Sequence, residues 1–238
     1  MKEIHLLVLA GGFGTRLRPA VADVPKPLAP VAAKPYLEYL IDSWLEQGVS
    51  SMSFLLHHQS ALIEEFLYSL GKRGAWDNCR LHIVKEEQPM GTGGAIAFAS
   101  RQLGLTQSFL VANADTWLGT GIAQIANVEA PAIAVVQVEN AERYGSVDLQ
   151  VDKIVAFKEK QHSNGAGWIN AGLYHLHPAL FDSWKGQPFS MEQVLFPALV
   201  KAGALNALAL NTDFIDIGIP SDYFRFCRWI DSRKTETL

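Results

Sequence analysis

Residues 4–16 read Ile4-His-Leu-Leu-Val-Leu-Ala10-Gly-Gly-Phe-Gly-Thr-Arg16. The first seven form a near-continuous apolar run, the pattern of a strand buried on both faces. A glycine-rich turn follows at once. Gly11, Gly12 and Gly14 let the backbone take positive φ and turn its N–H groups toward an anion. Thr15 adds a hydroxyl donor, and Arg16 a planar cation suited to phosphate oxygens. Leu9 and Ala10 carry the strand into this turn and complete the candidate phosphate-binding segment. A tight turn without a ligand is the plainer alternative, and the Thr15-Arg16 pair tilts the reading toward phosphate. Two familiar phosphate loops fail on spacing. No Gly-Lys-Ser/Thr occurs, as a Walker A loop needs, and Leu17 stands where a dinucleotide fingerprint needs its third glycine.

Working outward, strand-like runs alternate with helical spacing. Residues 35–47 place Leu37, Leu40, Ile41, Trp44 and Leu45 on one face, and Gly48 is suited to end the helix. Residues 53–56 read as a strand and 60–70 as a helix capped by Ser60. Residues 80–85 read as a strand and 94–103 as a helix, with Thr92 as a possible cap. Strands follow at 108–112 and 132–138, with a short helix at 122–126 between them. This βαβαβα order predicts an α/β fold, a Rossmann-like, doubly wound, mostly parallel sheet. After residue 140 strands dominate, at 146–150, 153–158 and 168–175. A helix over 190–201 is capped by Ser190. Short strands at 205–210 and 213–217 precede a terminal helix over 221–232. The expectation is one domain over 1–238, whose 1–139 half carries the phosphate turn. Its 140–238 half forms a mixed or antiparallel extension.

The 238 residues are 49% hydrophobic and 18% charged, too apolar for a disordered chain. The net charge of −4 argues against a partner with many nucleic-acid phosphates. Cys79 and Cys227 are too far apart in sequence to suggest a disulfide framework and read as buried thiols in a reducing compartment. The first apolar run is too short to span a membrane. These features together predict a soluble, cytoplasmic protein without a membrane partner. Its oligomeric state is open, a homo-oligomer included.

Downstream of the glycine turn comes Pro25-Lys26-Pro27-Leu28, a lysine stiffened between prolines and suited to aim one charge. With Gly-Gly-x-Gly-Thr-Arg-Leu-x-Pro before it, the segment resembles the signature of the sugar-1-phosphate nucleotidyltransferases. Those enzymes join a nucleoside triphosphate to a sugar 1-phosphate and release pyrophosphate. The resemblance implies the GT-A-like nucleotidyltransferase fold and covers nearly the whole chain. Residues 86–96, EEQPMGTGGAI, are similar to the loop that holds base and ribose, with Glu86, Gly91 and Thr92 as contacts. Asn113-Ala114-Asp115 stands where the family usually reads Gly-Asp, and Asp216 in FIDIGIP matches its second metal-binding aspartate. The implied cofactor is Mg²⁺ on Asp115 and Asp216, with Arg16 and Lys26 completing the catalytic set. The resemblance assigns nucleotide binding to the 1–139 half and sugar-phosphate binding to the 140–238 half, where the implied sugar contacts are Gly145 in Arg-Tyr-Gly, Glu159 and Lys160 in Phe-Lys-Glu-Lys, and Asn170 in Ile-Asn-Ala-Gly-Leu-Tyr.

Within the family, DVPKPLAPV, QPMGTGGAI, RYGSV, FSMEQ and FIDIGIP are most similar to the D-glycero-α-D-manno-heptose 1-phosphate guanylyltransferases. Mannose 1-phosphate guanylyltransferases and N-acetylmuramate 1-phosphate uridylyltransferases are the alternatives. A regulatory subunit that binds nucleotide sugars without turnover is another. Gln88 stands where relatives using GTP often carry Glu, which leaves Glu86 or Glu87 as the acceptor for guanine. None of the seven histidines falls in a segment read as catalytic. His57-His58, at a strand end, read as pocket lining or nothing.

Overall fold

The computed structural model describes residues 3–158 and 165–236. The opening apolar run forms β1 (His5–Leu9), with Leu6, Leu7 and Val8 wholly buried. The glycine turn and one 3₁₀ turn at Lys26–Leu28 follow. A ribbon of β2 (Pro30–Val31) and β3 (Lys34–Pro35) leads into α1 (Tyr36–Glu46). Helix α1 buries Leu37, Leu40, Ile41 and Trp44, and Gly48 turns the chain out at a φ of 90°. Next come β4 (Ser51–Leu56), α2 (Ser60–Gly71), β5 (Arg80–Lys85), α3 (Gly91–Gln102), β6 (Phe109–Asn113), β7 (Thr116–Leu118), α4 (Ile122–Ile125) and β8 (Ala132–Val138). The second half supplies β9 (Ser146–Gln150), β10 (Lys153–Lys158), β11 (Gly167–Leu176), α5 (Phe196–Lys201), β12 (Asn206–Leu210), β13 (Phe214–Asp216) and α6 (Pro220–Glu236).

Nine of these strands form one sheet in the order β5-β4-β1-β6-β11-β8-β12-β10-β9. The first four are parallel, as the alternating pattern predicts. Strand β8 does not extend that run. Strand β11 lies between β6 and β8, antiparallel to both. Its burial explains the placement: Ala171–Leu176 is buried continuously, as an inner strand with both faces covered must be. Strands β12, β10 and β9 complete a mixed extension, in which β9 pairs with both β10 and β11. One core lies under α1, α2 and α6, and another under α3 and α5. The sheet is thus covered on both faces. Apart from it, β7 and β13 form an antiparallel ribbon that sets Asp216 opposite Thr116.

Several local expectations change. Gln59, at a φ of 52°, caps α2 without a side-chain bond, and Ser60 is already helical. Helix α3 begins at Gly91, ahead of the expected Gly94. Glycine's poor helix propensity hides that start in the sequence. Thr92 is therefore inside the first turn and is not its cap. The carbonyl of Phe189 accepts from Gly93 N at 3.0 Å, satisfying a first-turn N–H that a cap would otherwise serve. Ser190 does cap the later helix, accepting from Gln193 N at 3.2 Å, but that helix opens with a π turn at Met191–Leu195. Cys79 is buried and Cys227 only partly so, and both are free thiols.

Candidate active site

Each parallel strand delivers one group to the same edge of the sheet. β1 runs into the glycine turn, β4 into His57, β5 into Glu86 and β6 toward Asp115. Carboxyl ends of parallel strands are where α/β folds place ligands. Gly14 takes a φ of 60°, and a Cβ there would stand 3.0 Å from Lys26 Cβ. Glycine is therefore required both by conformation and by the close approach of the Pro-Lys-Pro segment. Leu9, Ala10, Gly12, Gly14, Thr15, Arg16, Lys26, Asp115 and Gly218 line one cavity of about 230 Å³. A second, of about 330 Å³, is lined by Gly11, His57, Glu86, Gly91 and Thr92. Leu9, Gly12, Phe13 and Asp115 border both, so the two form one continuous cleft.

The charged centre lies in the first cavity. Lys26 Nζ donates to Asp115 Oδ2 at 2.6 Å and stands 3.7 Å from Asp216 Oδ1. Thr116 Oγ1 donates to Asp115 Oδ1 at 3.1 Å, and Gly218 N to Asp216 Oδ1 at 2.6 Å. A bond from Ile217 N to Asp115 O, 2.9 Å long, ties the two aspartate segments together. A Cβ on Gly218 would lie 2.8 Å from Asp216 Oδ1 and 3.3 Å from both Arg16 Nη2 and Lys26 Nζ, so a side chain there would push on the ends of all three charged groups. Ala114, which replaces the family's glycine, is buried and bonds Leu9 O through its N–H. It takes no positive φ, so the substitution brings no strain.

The two carboxylates ionise differently. Burial opposes the charge on Asp115, but Lys26, Thr116 and Arg16 outweigh it and hold its pKa below the usual range. Burial and the negative charge of Asp115 push Asp216 upward against Lys26 and the Gly218 N–H. The donor set is all oxygen. No group of three or more His, Cys, Asp or Glu side chains gathers among the described residues. Two carboxylates beside a phosphate-sized cavity fit Mg²⁺, which binds one or two carboxylates and completes its shell with phosphates and water.

In the second cavity Glu86 Oε2 accepts from Met90 N at 2.8 Å, while its Oε1 lies beside Gly11. Burial raises the Glu86 pKa, partly offset by the Met90 N–H and by His57. Gln88 is exposed and lines neither cavity. His57 Nδ1 is 3.1 Å from Glu86 O, which makes it pocket lining. The half-exposed Phe13 ring lies 5.0 Å from that of His58, a contact that sequence reading passed over for want of any periodic signal. Thr92 is drawn into tertiary bonding. Its Oγ1 donates to Glu192 Oε2 at 2.7 Å and accepts from Met191 N at 2.9 Å.

Of the residues that the resemblance assigns to the sugar, Gly145 and Asn170 meet each other but line neither cavity. Asn170 N donates to Gly145 O at 3.0 Å. Its side chain accepts from Gly172 N and donates to Tyr174 Oη, both at 2.9 Å. Glu159 and Lys160 lie outside the described residues.

A family model for nucleotidyl transferases matches residues 5–232. The chain belongs to the nucleotidyl transferase family. A D-glycero-α-D-manno-heptose 1-phosphate guanylyltransferase of Campylobacter jejuni is 30% identical over 94% of this chain and 98% of its own. The mannose-1-phosphate guanylyltransferase catalytic subunit beta of Xenopus tropicalis is 32% identical, and the match spans 64% of that longer protein. The crystal structure of HddC from Yersinia pseudotuberculosis superposes with a TM-score of 0.82 at 31% identity, covering 95% of this chain and 99% of that one. The same protein complexed with GMP-PN gives 0.81 at 30% identity, again over 95% and 99%. In this nucleotidyl transferase no helix among the described residues is long and apolar enough to cross a membrane.

Proposed function

We propose that the protein transfers a guanylyl group from GTP to D-glycero-α-D-manno-heptose 1-phosphate, releasing pyrophosphate. The half-buried Glu86 carboxylate in the second cavity carries the choice of base. A carboxylate accepts from the guanine N1–H and N2–H₂ donors, whereas Gln88 is turned out to solvent. Likeness to the Campylobacter enzyme supports the heptose. Likeness to the Xenopus enzyme keeps mannose 1-phosphate as the second reading. Against a non-catalytic binding subunit stands the complete set of Arg16, Lys26, Asp115 and Asp216.

The nucleophile is a phosphate monoester, whose second pKa near ~6 leaves it ionised at neutral pH. A strong general base is therefore unnecessary. The barrier is the approach of two anions, which positioning and preorganised charge lower. Arg16, Lys26 and the amides of the glycine turn would neutralise the triphosphate, and Lys160 the sugar phosphate. Glu159, Gly145 and Asn170 would orient the sugar. Asp115 and Asp216 would hold Mg²⁺, which when bound adds positive charge where the phosphates meet. A cytoplasmic enzyme supplying GDP-heptose for lipopolysaccharide or another surface polysaccharide fits this chemistry. The test is pyrophosphate release for each nucleoside triphosphate against heptose, mannose and N-acetylmuramate 1-phosphates. GTP with the heptose should give the highest kcat/KM. A higher value for UTP, CTP or dTTP overturns the base, and one for another sugar overturns the heptose.

A further inference from the structure

Lys26 is placed where its charge has two anionic destinations. Its ammonium donates to Asp115 at 2.6 Å and lies 3.7 Å from Asp216, touching the two carboxylates that suit a divalent cation. Its side chain is only 9% exposed, so little solvent competes for the ammonium. The base of the side chain is fixed. It sits between Pro25 and Pro27 at the start of a 3₁₀ turn, with its Cβ against Gly14. Beyond Cβ the stem is flexible. Lys26 and the glycine turn line the same cavity, so a phosphate in that turn falls within reach of the same ammonium.

Arg16 supplies the contrast. It lines the same cavity and its charge acts on both carboxylates, yet it makes no ion pair with either. Two cations cannot share one carboxylate pair at close range without strong repulsion. We infer that Lys26 and the divalent cation compete for Asp115 and Asp216, so that the metal is admitted when nucleotide phosphates draw the Lys26 ammonium away. Metal loading is thereby coupled to substrate arrival, and the metal enters with the triphosphate or after it. This inference rests on the proposed reaction for the identity of the phosphate.

The test is Mn²⁺ binding without nucleotide, read by electron paramagnetic resonance of the free ion, for wild type, Lys26→Met and Arg16→Met. Competition predicts at least about tenfold tighter binding in Lys26→Met and less than about threefold change in Arg16→Met. Unchanged or weaker binding in Lys26→Met overturns the inference. Equal tightening in both variants also overturns it, since that is a general charge effect. Should Lys26→Met fail to fold, wild type alone decides through acetylation of Lys26 followed by mass spectrometry. Saturating Mn²⁺ should raise the labelling rate of Lys26 several-fold relative to the exposed Lys185. No rise overturns the inference. Pyrophosphate release by the same wild-type preparation separates the two readings. Turnover with unaltered metal binding in Lys26→Met defeats the competition alone. Competition in a protein that releases no pyrophosphate defeats the proposed function and sustains the competition.

Discussion

The two sides of the cleft are built by different means. On the nucleotide side, four parallel strands each end in a loop that carries its own functional group: Gly11–Arg16, His57, Glu86 and Asp115. On the other side, groups are placed by pairing register. Asp216 reaches Asp115 because β13 pairs with β7, and Asn170, outside both cavities, is held where the β11–β8 register shifts, between Asn170 and Tyr174. A group on the first side depends mainly on its own strand and loop. One on the second depends on which strand lies beside it. Mutations on the first side should therefore damage chemistry before stability, and those on the second should damage both.

The largest effect is expected where the two sides meet. Asp115→Asn and Asp216→Asn should each lower kcat by about 10²- to 10³-fold. The double variant should lose little more, because groups acting as a unit are non-additive. Kinetics against Mg²⁺ concentration check this, with thermal melts as the folding control. Losses that multiply fully in the double would show that the sides do not share an ion. Next comes Lys26→Ala, expected to cost on the order of 10²-fold in kcat with a small shift in melting temperature. Near-normal turnover in a folded Lys26→Ala protein would take Lys26 out of the site.

Glu86→Gln sharpens the nucleotide side. Removing the carboxylate acceptor should reduce the preference for GTP over UTP by about 10- to 100-fold, equivalent to ~1–3 kcal/mol. The raised pKa of Glu86 adds a pH signature. As pH falls through that raised value the carboxylate is protonated, and one of its two acceptor oxygens becomes a donor that opposes the guanine N–H groups. The KM for GTP should climb on the acid side, beginning above the ordinary glutamate range, and Glu86→Gln should flatten the climb. A parallel pH profile in variant and wild type would detach Glu86 from the base. The smallest effect on turnover is expected from Asn170→Ala. It removes the bonds to Gly172 N and Tyr174 Oη and should lower stability by about 1–3 kcal/mol. A rise in sugar-phosphate KM without any loss of melting temperature would show that Asn170 is not the register-dependent prop that its bonds describe.

Much of the first side is legible in the chain because its signals are local. The apolar run into Gly11, Gly12 and Gly14, the prolines around Lys26 and the periodicity of α1 act within a few residues of one another. They require only that the strand be buried and the turn be tight. Glu86 emerges as a candidate for the base, but its choice over Gln88 needs the fold, which sets one side chain in the wall of the second cavity and leaves the other exposed. Thr92 shows the limit of local reading, because a residue read as a cap bonds to Glu192 and Met191 across the molecule.

What the sequence alone determined is the α/β class, the phosphate turn and the identity of the charged groups, since propensity, burial pattern and turn chemistry are properties of short segments. Tertiary structure decided that β11 enters between β6 and β8. It also decided that the β7–β13 ribbon brings Asp216 to Asp115, and that one lysine touches both. Those outcomes depend on which edges pair and in what register. The choice is made by burying both faces of β11 and by joining distant hydrogen-bond partners, a balance spread over the whole core and written in no single segment.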